Sequence, residues 1–169
     1  VPNKEWKKNN FTSKQNQNWY LGETVIAGIG QGYMLATPMQ LAYATSIIAN
    51  RGFAFKPHIL KQINLKDSDE PLTTQSERID HVMNIDQKYW DIVFDGMNAV
   101  VNEQRGTAYG VFPENSDIAG KTGTSQVFSM DKRSGDDVPE ELRDHGLFIG
   151  FAPINNPEIV IAVLVENGG

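Results

Sequence analysis

Apolar and small residues recur every three or four positions at Met39, Ala42, Tyr43, Ser46, Ile47 and Asn50, a spacing that predicts one stripe of a helix. Thr37-Pro38-Met39-Gln40 supplies its start. Thr37 can cap, Pro38 suits a first turn where its missing donor is not needed, and Gln40 completes a capping box. Gly52 is the expected stop, and Ala42, Ala44 and Ala49 predict close packing against another element. A second stripe, Tyr89, Trp90, Val93, Met97, Val100 and Val101, predicts a helix over 86–101. Phe53 to Leu60 is expected as a short strand, placed at an edge or interrupted by Pro57.

Strands are expected around Ile118 and Ala119, over 148–152 and over 159–165. The last two are joined by Pro153-Ile154-Asn155-Asn156-Pro157, a link too short for a parallel crossover, so an antiparallel hairpin is predicted. Residues 61–78 are polar and turn-rich, an exposed excursion. Residues 129–145 form a polar loop between sheet strands. Residues 1–20 are polar, with Trp6, Phe11 and Trp19 scattered at no clean period. Thr24-Val25-Ile26-Ala27 has the composition of a strand. Helices followed by closely spaced strands give an α+β class, with helices packed on an antiparallel sheet. The final strand is followed directly by Glu166-Asn167-Gly168-Gly169, so the chain is expected to be part of a larger domain.

Composition narrows the function classes. The 169 residues are 40% hydrophobic and 21% charged, which fits a folded unit. The formal net charge of -6, with no dense basic stripe, argues against nonspecific nucleic-acid binding. Lys4, Lys7 and Lys8 are expected as exposed lysines. The absence of cysteine removes disulfides, thiolate catalysis and sulfur ligation. The longest apolar run, Ile159 to Val165, is far short of the ~20 residues that span a bilayer.

Several candidate chemistries fail on spacing. Gly120-Lys121-Thr122 lacks the earlier glycine of a phosphate loop, because position 115 is Asn115, and β-branched neighbours follow where a helix is required. Gly28-Ile29-Gly30-Gln31-Gly32 is separated from the next helix start at Thr37, so tight turns or close packing explain its glycines better than a dinucleotide loop. His58, His81 and His145 stand apart, with no metal-ligand spacing. Asp144 beside His145 is read first as a structural network. Asp136-Asp137 is read as a solvated acidic face.

Lys121-Thr122-Gly123-Thr124-Ser125 remains. In an extended segment Lys121 and Gly123 point to one side, Thr122 and Thr124 to the other. Gly123 admits close approach of a substrate backbone, a neighbouring N–H can face a developing oxyanion, and the hydroxyls with the cation can hold a carboxylate. On spacing alone, a threonine-rich edge strand without chemistry is an equal reading. A noncatalytic peptide-binding module and a nucleotide-binding enzyme are the alternative function classes.

Lys121-Thr122-Gly123-Thr124 resembles the third active-site motif of the penicillin-binding transpeptidases. Gly28 to Gly32 with Ala36-Thr37-Pro38-Met39-Gln40-Leu41-Ala42 resembles their segment before a late core helix. Arg105-Gly106-Thr107-Ala108 resembles their Gly-Thr-Ala element. Leu142-Arg143-Asp144-His145, Phe151-Ala152-Pro153 and Glu166-Asn167-Gly168-Gly169 are similar to the class B, penicillin-binding protein 2 group of the rod-shape elongation system. The likeness runs in family order from about Trp6 to the end.

The resemblance implies the late portion of a serine β-lactamase-like transpeptidase domain that crosslinks D-Ala-D-Ala stem peptides and is acylated by β-lactams. Lys121 is then a catalytic residue supporting the proton network. Thr122, Gly123 and Thr124 bind substrate, the Thr124 N–H supplies half of the oxyanion hole, and Gly106 and Thr107 support the site. No cofactor or metal is implied. Implied partners are stem peptides, β-lactams, the rest of the same domain, and a membrane glycosyltransferase and scaffold proteins of the elongation complex. The implied location is the periplasmic face of the bacterial inner membrane, anchored by an N-terminal segment outside this chain. The family's nucleophile motif, Ser-x-x-Lys, precedes its third motif, whereas Ser129-Met-Asp-Lys132 follows Lys121 in an acidic loop, and no Ser-x-Asn occurs. The nucleophile and the C-terminal covering helix are therefore expected outside this chain, which alone is expected to be inactive.

Overall fold

In the computed structural model, residues 2–66, 70–79, 85–126 and 139–168 are described. They form two compact units. One comprises 1–37, 124–146 and 165–169, the other 38–123 and 147–164.

The first unit opens with two helices, α1 (Lys4–Asn10) and α2 (Leu21–Gly28). The Asn3 side chain caps α1 by accepting from the Trp6 N–H at 2.8 Å. α1 has only seven residues, too few turns to display a period. Thr24 to Ala27, expected as a strand, lies inside α2. Its β-branched residues are overruled at both ends of the helix. At the start, the Glu23 carboxylate accepts from the Tyr20 N–H at 2.8 Å. At the end, Gln31 N–H bonds to Ile26 C=O and Gly30 N–H to Ala27 C=O, both at 3.0 Å. With Gly30 at φ +76° this is a Schellman stop, where glycine avoids the steric penalty on a Cβ.

Lys7 corrects the expectation of exposed lysines. Its residue exposure is 3%. Its ammonium pairs with Glu23 and donates to Asn18 C=O at 2.6 Å. The rings of Phe11, Tyr20 and Tyr33 surround it at 6.0, 5.3 and 5.6 Å from their centroids. A charge removed from water this far is tolerated because its partner and carbonyl replace the lost hydration.

In the second unit α3 (Pro38–Ala49) begins where the Thr37-Pro38 signal placed it. After Ala49 the chain turns through Arg51 and Gly52, both at positive φ, with Gly52 N–H bonded to Ile47 C=O at 2.8 Å. The buried face differs from the predicted stripe: Thr45 and Ala49 are buried, whereas Met39 is 62% exposed. Thr45 is accommodated because its hydroxyl bonds back to Leu41 C=O at 2.7 Å.

Of the strand expected over 53–60, the structure forms β1 (Ala54–Phe55), and the Lys56 N–H next to it bonds to Glu77 C=O at 2.9 Å. The chain then forms β2 (Gln62–Ile63), β3 (Leu72–Thr73) and β4 (Arg78–Ile79), with β1 antiparallel to β4 and β2 to β3. The described residues of 61–78 are all exposed.

α4 (Gln87–Asn102) buries Trp90, Phe94, Met97 and Val101. Phe94 replaces Tyr89 and Val93 of the predicted stripe, and both of those are exposed. The main sheet is antiparallel, in the order β5 (Ala119–Ser125), β6 (His145–Ala152) and β7 (Ile159–Val165). Ala49, Phe94, Met97, Ala119 and Phe151 form the core that packs α3 and α4 on it, with Ile48, Ile154 and Val160 at its margin. The architecture is α+β, helices packed on an antiparallel sheet. Among the described residues no helix is long and apolar enough to cross a membrane.

The Glu23 carboxyl is held below the usual carboxylate range, first by the hydrogen bond from Lys7 and then by the Tyr20 N–H. A lowered folded pKa contributes stability that is complete above the unfolded value and lost as pH falls through the folded one. Glu23→Gln should therefore lower the melting temperature at pH 7. The gap to wild type should narrow as pH falls below about 4.5, read by thermal unfolding across pH 7 to 3.

Candidate active site

Three local constraints bring the predicted site residues of the second unit together. Asn102, the last residue of α4, donates its side-chain amide to Ser116 C=O at 3.0 Å, holding the chain that leads into β5. The Ile154 N–H donates to Asp117 at 2.8 Å on the same approach. Between them the chain turns through Arg105-Gly106-Thr107-Ala108 against the end of α4, with Ala108 N–H bonded to Val100 C=O at 3.0 Å and Ala108 buried. At Gly106 a Cβ would collide with the Ala99 and Val100 carbonyl oxygens, so only glycine fits without displacing the turn.

That turn delivers Thr107 to β5. The Thr107 and Thr122 hydroxyls lie 2.6 Å apart. Lys121 Nζ donates to Thr122 C=O at 2.8 Å and stands 3.4 Å from the Thr122 hydroxyl. Backbone alternation alone would put Lys121 and Thr122 on opposite sides. The long lysine stem curls along the strand and brings its ammonium back to the threonine. Lys121, Gly123 and Thr107 are exposed and Thr122 half-buried. A Cβ on Gly123 would lie 3.3 Å from Leu147 Cβ, so the strand packs closely against β6 there. One ammonium and two hydroxyls thus share a solvent-facing patch on an edge strand. An ammonium and hydroxyls grouped in this way can donate hydrogen bonds to an anionic oxygen.

In the first unit, Thr124 is exposed and its carbonyl accepts from Gln31 Nε2 at 2.7 Å. The Gln126 N–H approaches Gln31 Oε1 at 3.5 Å. The sequence reading singled out the glycines around Gln31 and passed over Gln31 itself. Its position between two glycines at positive φ was the available signal.

The other candidates do not join a site. His145 Nδ1 accepts the Asn167 backbone N–H at 2.9 Å, and the Asn167 side chain donates to Glu140 C=O at 2.7 Å, a structural network. His58 Nδ1 lies 2.9 Å from Leu60 C=O. Among the described residues no group of His, Asp and Glu could hold a metal ion. His81, Ser129 to Lys132 and Asp136-Asp137 lie outside the described residues.

Residues 5–169 match the penicillin binding protein transpeptidase domain, and the chain belongs to that family. Within it, the chain is 38% identical over 173 residues to the peptidoglycan D,D-transpeptidase MrdA of Escherichia coli K12, covering all of this chain and 26% of that protein. It is 42% identical over 171 residues to MrdA of Acinetobacter baumannii, covering 99% of this chain and 24% of that one. The chain therefore spans about a quarter of the length of these curated relatives. Among solved structures it is similar to Pseudomonas aeruginosa PBP2 in complex with WCK 5153, with TM-score 0.70 and 42% identity over 99% of this chain and 33% of that one. PBP2 of Helicobacter pylori gives TM-score 0.72 and 31% identity over 99% of this chain and 26% of that one.

Gly106→Ala should cost about 1–3 kcal/mol of unfolding free energy through forced displacement of the turn, measured by urea denaturation. A stability equal to wild type would show that the turn yields freely.

Proposed function

We propose that the chain is the late part of the transpeptidase domain of a peptidoglycan D,D-transpeptidase of the penicillin-binding protein 2 type. The observation that carries this is the grouping of Lys121 and Thr122, on an exposed edge strand, with Thr107 of the adjoining turn, in a chain belonging to that family. In the proposed reaction a serine Oγ outside this chain attacks the carbonyl between the two terminal D-alanines of a donor stem peptide. The ester forms and D-alanine leaves as the free amine. An amine from a neighbouring stem then attacks the ester, forms the crosslinking amide and releases the serine. A β-lactam enters the first step as a donor mimic and stays on the serine.

In this reading the Lys121 ammonium supports the proton network and supplies positive potential. The Thr122 and Thr124 hydroxyls hold the donor carboxylate, and Gly123 keeps the strand open to the peptide. The Thr124 N–H, with that of the serine, binds the oxyanion; one such donor is typically worth about 3 kcal/mol in the transition state. Gly106 sets the turn that brings Thr107 to Thr122. Residues 1–169 are taken as one partial transpeptidase domain, with 61–78 an excursion and 129–145 a loop between strands. The proposed location is the periplasmic face of the bacterial inner membrane, held by a segment outside this chain. Scaffold proteins and a membrane glycosyltransferase of the elongation complex are the proposed partners; a Helicobacter pylori PBP2 solved as a complex with MreC supports the reading that a protein of this type has protein partners.

The test is acylation by a fluorescent penicillin. In the full-length protein carrying this chain, Lys121→Ala should slow acylation by roughly a hundredfold. Its unfolding free energy should stay within about 0.5 kcal/mol of wild type, because the side chain is exposed. The 169-residue chain alone should take up no label. Equal loss of labelling and stability would make Lys121 structural, and label mapped to a serine of the isolated chain would overturn the assignment of the nucleophile elsewhere.

A further inference from the structure

Gln31 has no part in the reaction just described, yet its side chain makes the bond to the carbonyl of Thr124. It sits between Gly30 and Gly32, at φ +76° and +69°. Gly30 terminates α2, and a Cβ on Gly32 would lie 2.8 Å from Ile26 Cγ2, so the turn is pressed back onto the helix it leaves. The far side of the turn is pinned as well. Tyr33 packs at 5.4 Å from Trp6 and 5.5 Å from Phe11, and its ring flanks the buried Lys7 ammonium. Lys7 is in turn paired with Glu23 of α2. Gln31 is therefore carried on a turn fixed at both ends.

The carboxamide is oriented by its partners. Nε2 donates to Thr124 C=O at 2.7 Å, and Oε1 faces the Gln126 N–H at 3.5 Å. A flipped amide would set oxygen against oxygen and nitrogen against nitrogen. In an extended strand the C=O of one residue and the N–H two residues on face the same edge, and the N–H of the first residue faces that edge too. Gln31 thus occupies the position of one peptide group of a neighbouring strand, on the edge toward which the Thr124 N–H points.

We propose that Gln31 is a positioning residue for acyl transfer: its carboxamide clamps the Thr124 and Gln126 peptide groups and so fixes the direction of the Thr124 N–H. The proposal rests on the transpeptidase reading above. A donor aimed before the oxyanion forms needs no reorganisation when charge develops, so loss of the clamp should appear in the chemical step more than in binding.

The experiment uses the full-length protein carrying this chain, with Gln31→Met, which keeps the length and removes both bonds, and Gln31→Glu, which sets an acceptor against the Thr124 carbonyl. Acylation by a fluorescent penicillin is followed over a range of concentrations, alongside the melting temperature and hydrogen exchange of the Gln126 amide. The limiting acylation rate constant should fall about threefold to tenfold, with half-saturation little changed. Gln126 exchange should quicken in both variants, and the melting temperature should move too little to account for the rate. An unchanged or faster rate in variants of an acylated wild type overturns the proposal, as does a loss that follows melting temperature alone. A wild type that is not acylated refutes the transpeptidase reading instead. Unchanged Gln126 exchange then still refutes the clamp.

Discussion

The contact on which the second unit most depends is between Phe94 of α4 and Phe151 of β6, whose ring centroids lie 4.8 Å apart in the centre of the core. Fully burying one such side chain is worth about 1.5–3 kcal/mol, and a paired aromatic adds to that. Its larger consequence is positional. With α4 fixed on the sheet by Phe94 and Met97, the last turn of α4 has a defined place. Asn102 can then hold the approach to β5, and the Gly106 turn can set Thr107 against Thr122. Arg51 reinforces the same helix, with its guanidinium 4.2 Å from the Phe94 ring centroid and an ion pair to Asp91 at 2.6 Å. The hydroxyl pair on the surface is thus set by apolar packing beneath it.

The first unit uses a different constraint. Its aromatic residues surround a buried ammonium instead of an aliphatic core, and α1 and α2 are joined by Lys7 and Glu23. Such a pair adds little net stability over an apolar pair of the same shape, because desolvation offsets much of the attraction. What it supplies is directionality: an ammonium with a carboxylate and a carbonyl as partners accepts few arrangements, while packed rings accept several. We read Lys7 as fixing how α1 meets α2 and, through Tyr33, the turn that carries Gln31.

The sequence disclosed elements more readily than faces. The start of α3 was legible because Thr37-Pro38 is a local signal, and the β6–β7 hairpin because its link is too short for any other connection. The buried side of α3 was not. Thr45 becomes a core residue only once its hydroxyl finds the Leu41 carbonyl, and a hydrophobicity pattern scores it as polar. α2 was misread because Thr24, Val25 and Ile26 favour extended backbone, while the residues that settle the matter, Glu23 and Gly30, act at the helix ends. Lys7 and Gln31 were missed for a common reason: their partners lie 16 and 93 residues away. The strand at Lys121 was legible, but the curl of its side chain toward Thr122 was not, since alternation describes Cβ directions and leaves a four-carbon stem free.

That curl bears on how such a strand meets an anion. The Lys121 ammonium donates to the carbonyl of the residue beside it at 2.8 Å, which places it near the hydroxyl pair. Under the proposed function, an arriving carboxylate would exchange one charge-to-carbonyl bond for a charge-to-charge bond. At 2.6 Å one of the two hydroxyls is already donor to the other, so the pair is polarised. An exposed edge strand is ordinarily a liability for aggregation. Here the Thr122 carbonyl of β5 is already taken up by the ammonium of its own strand's Lys121.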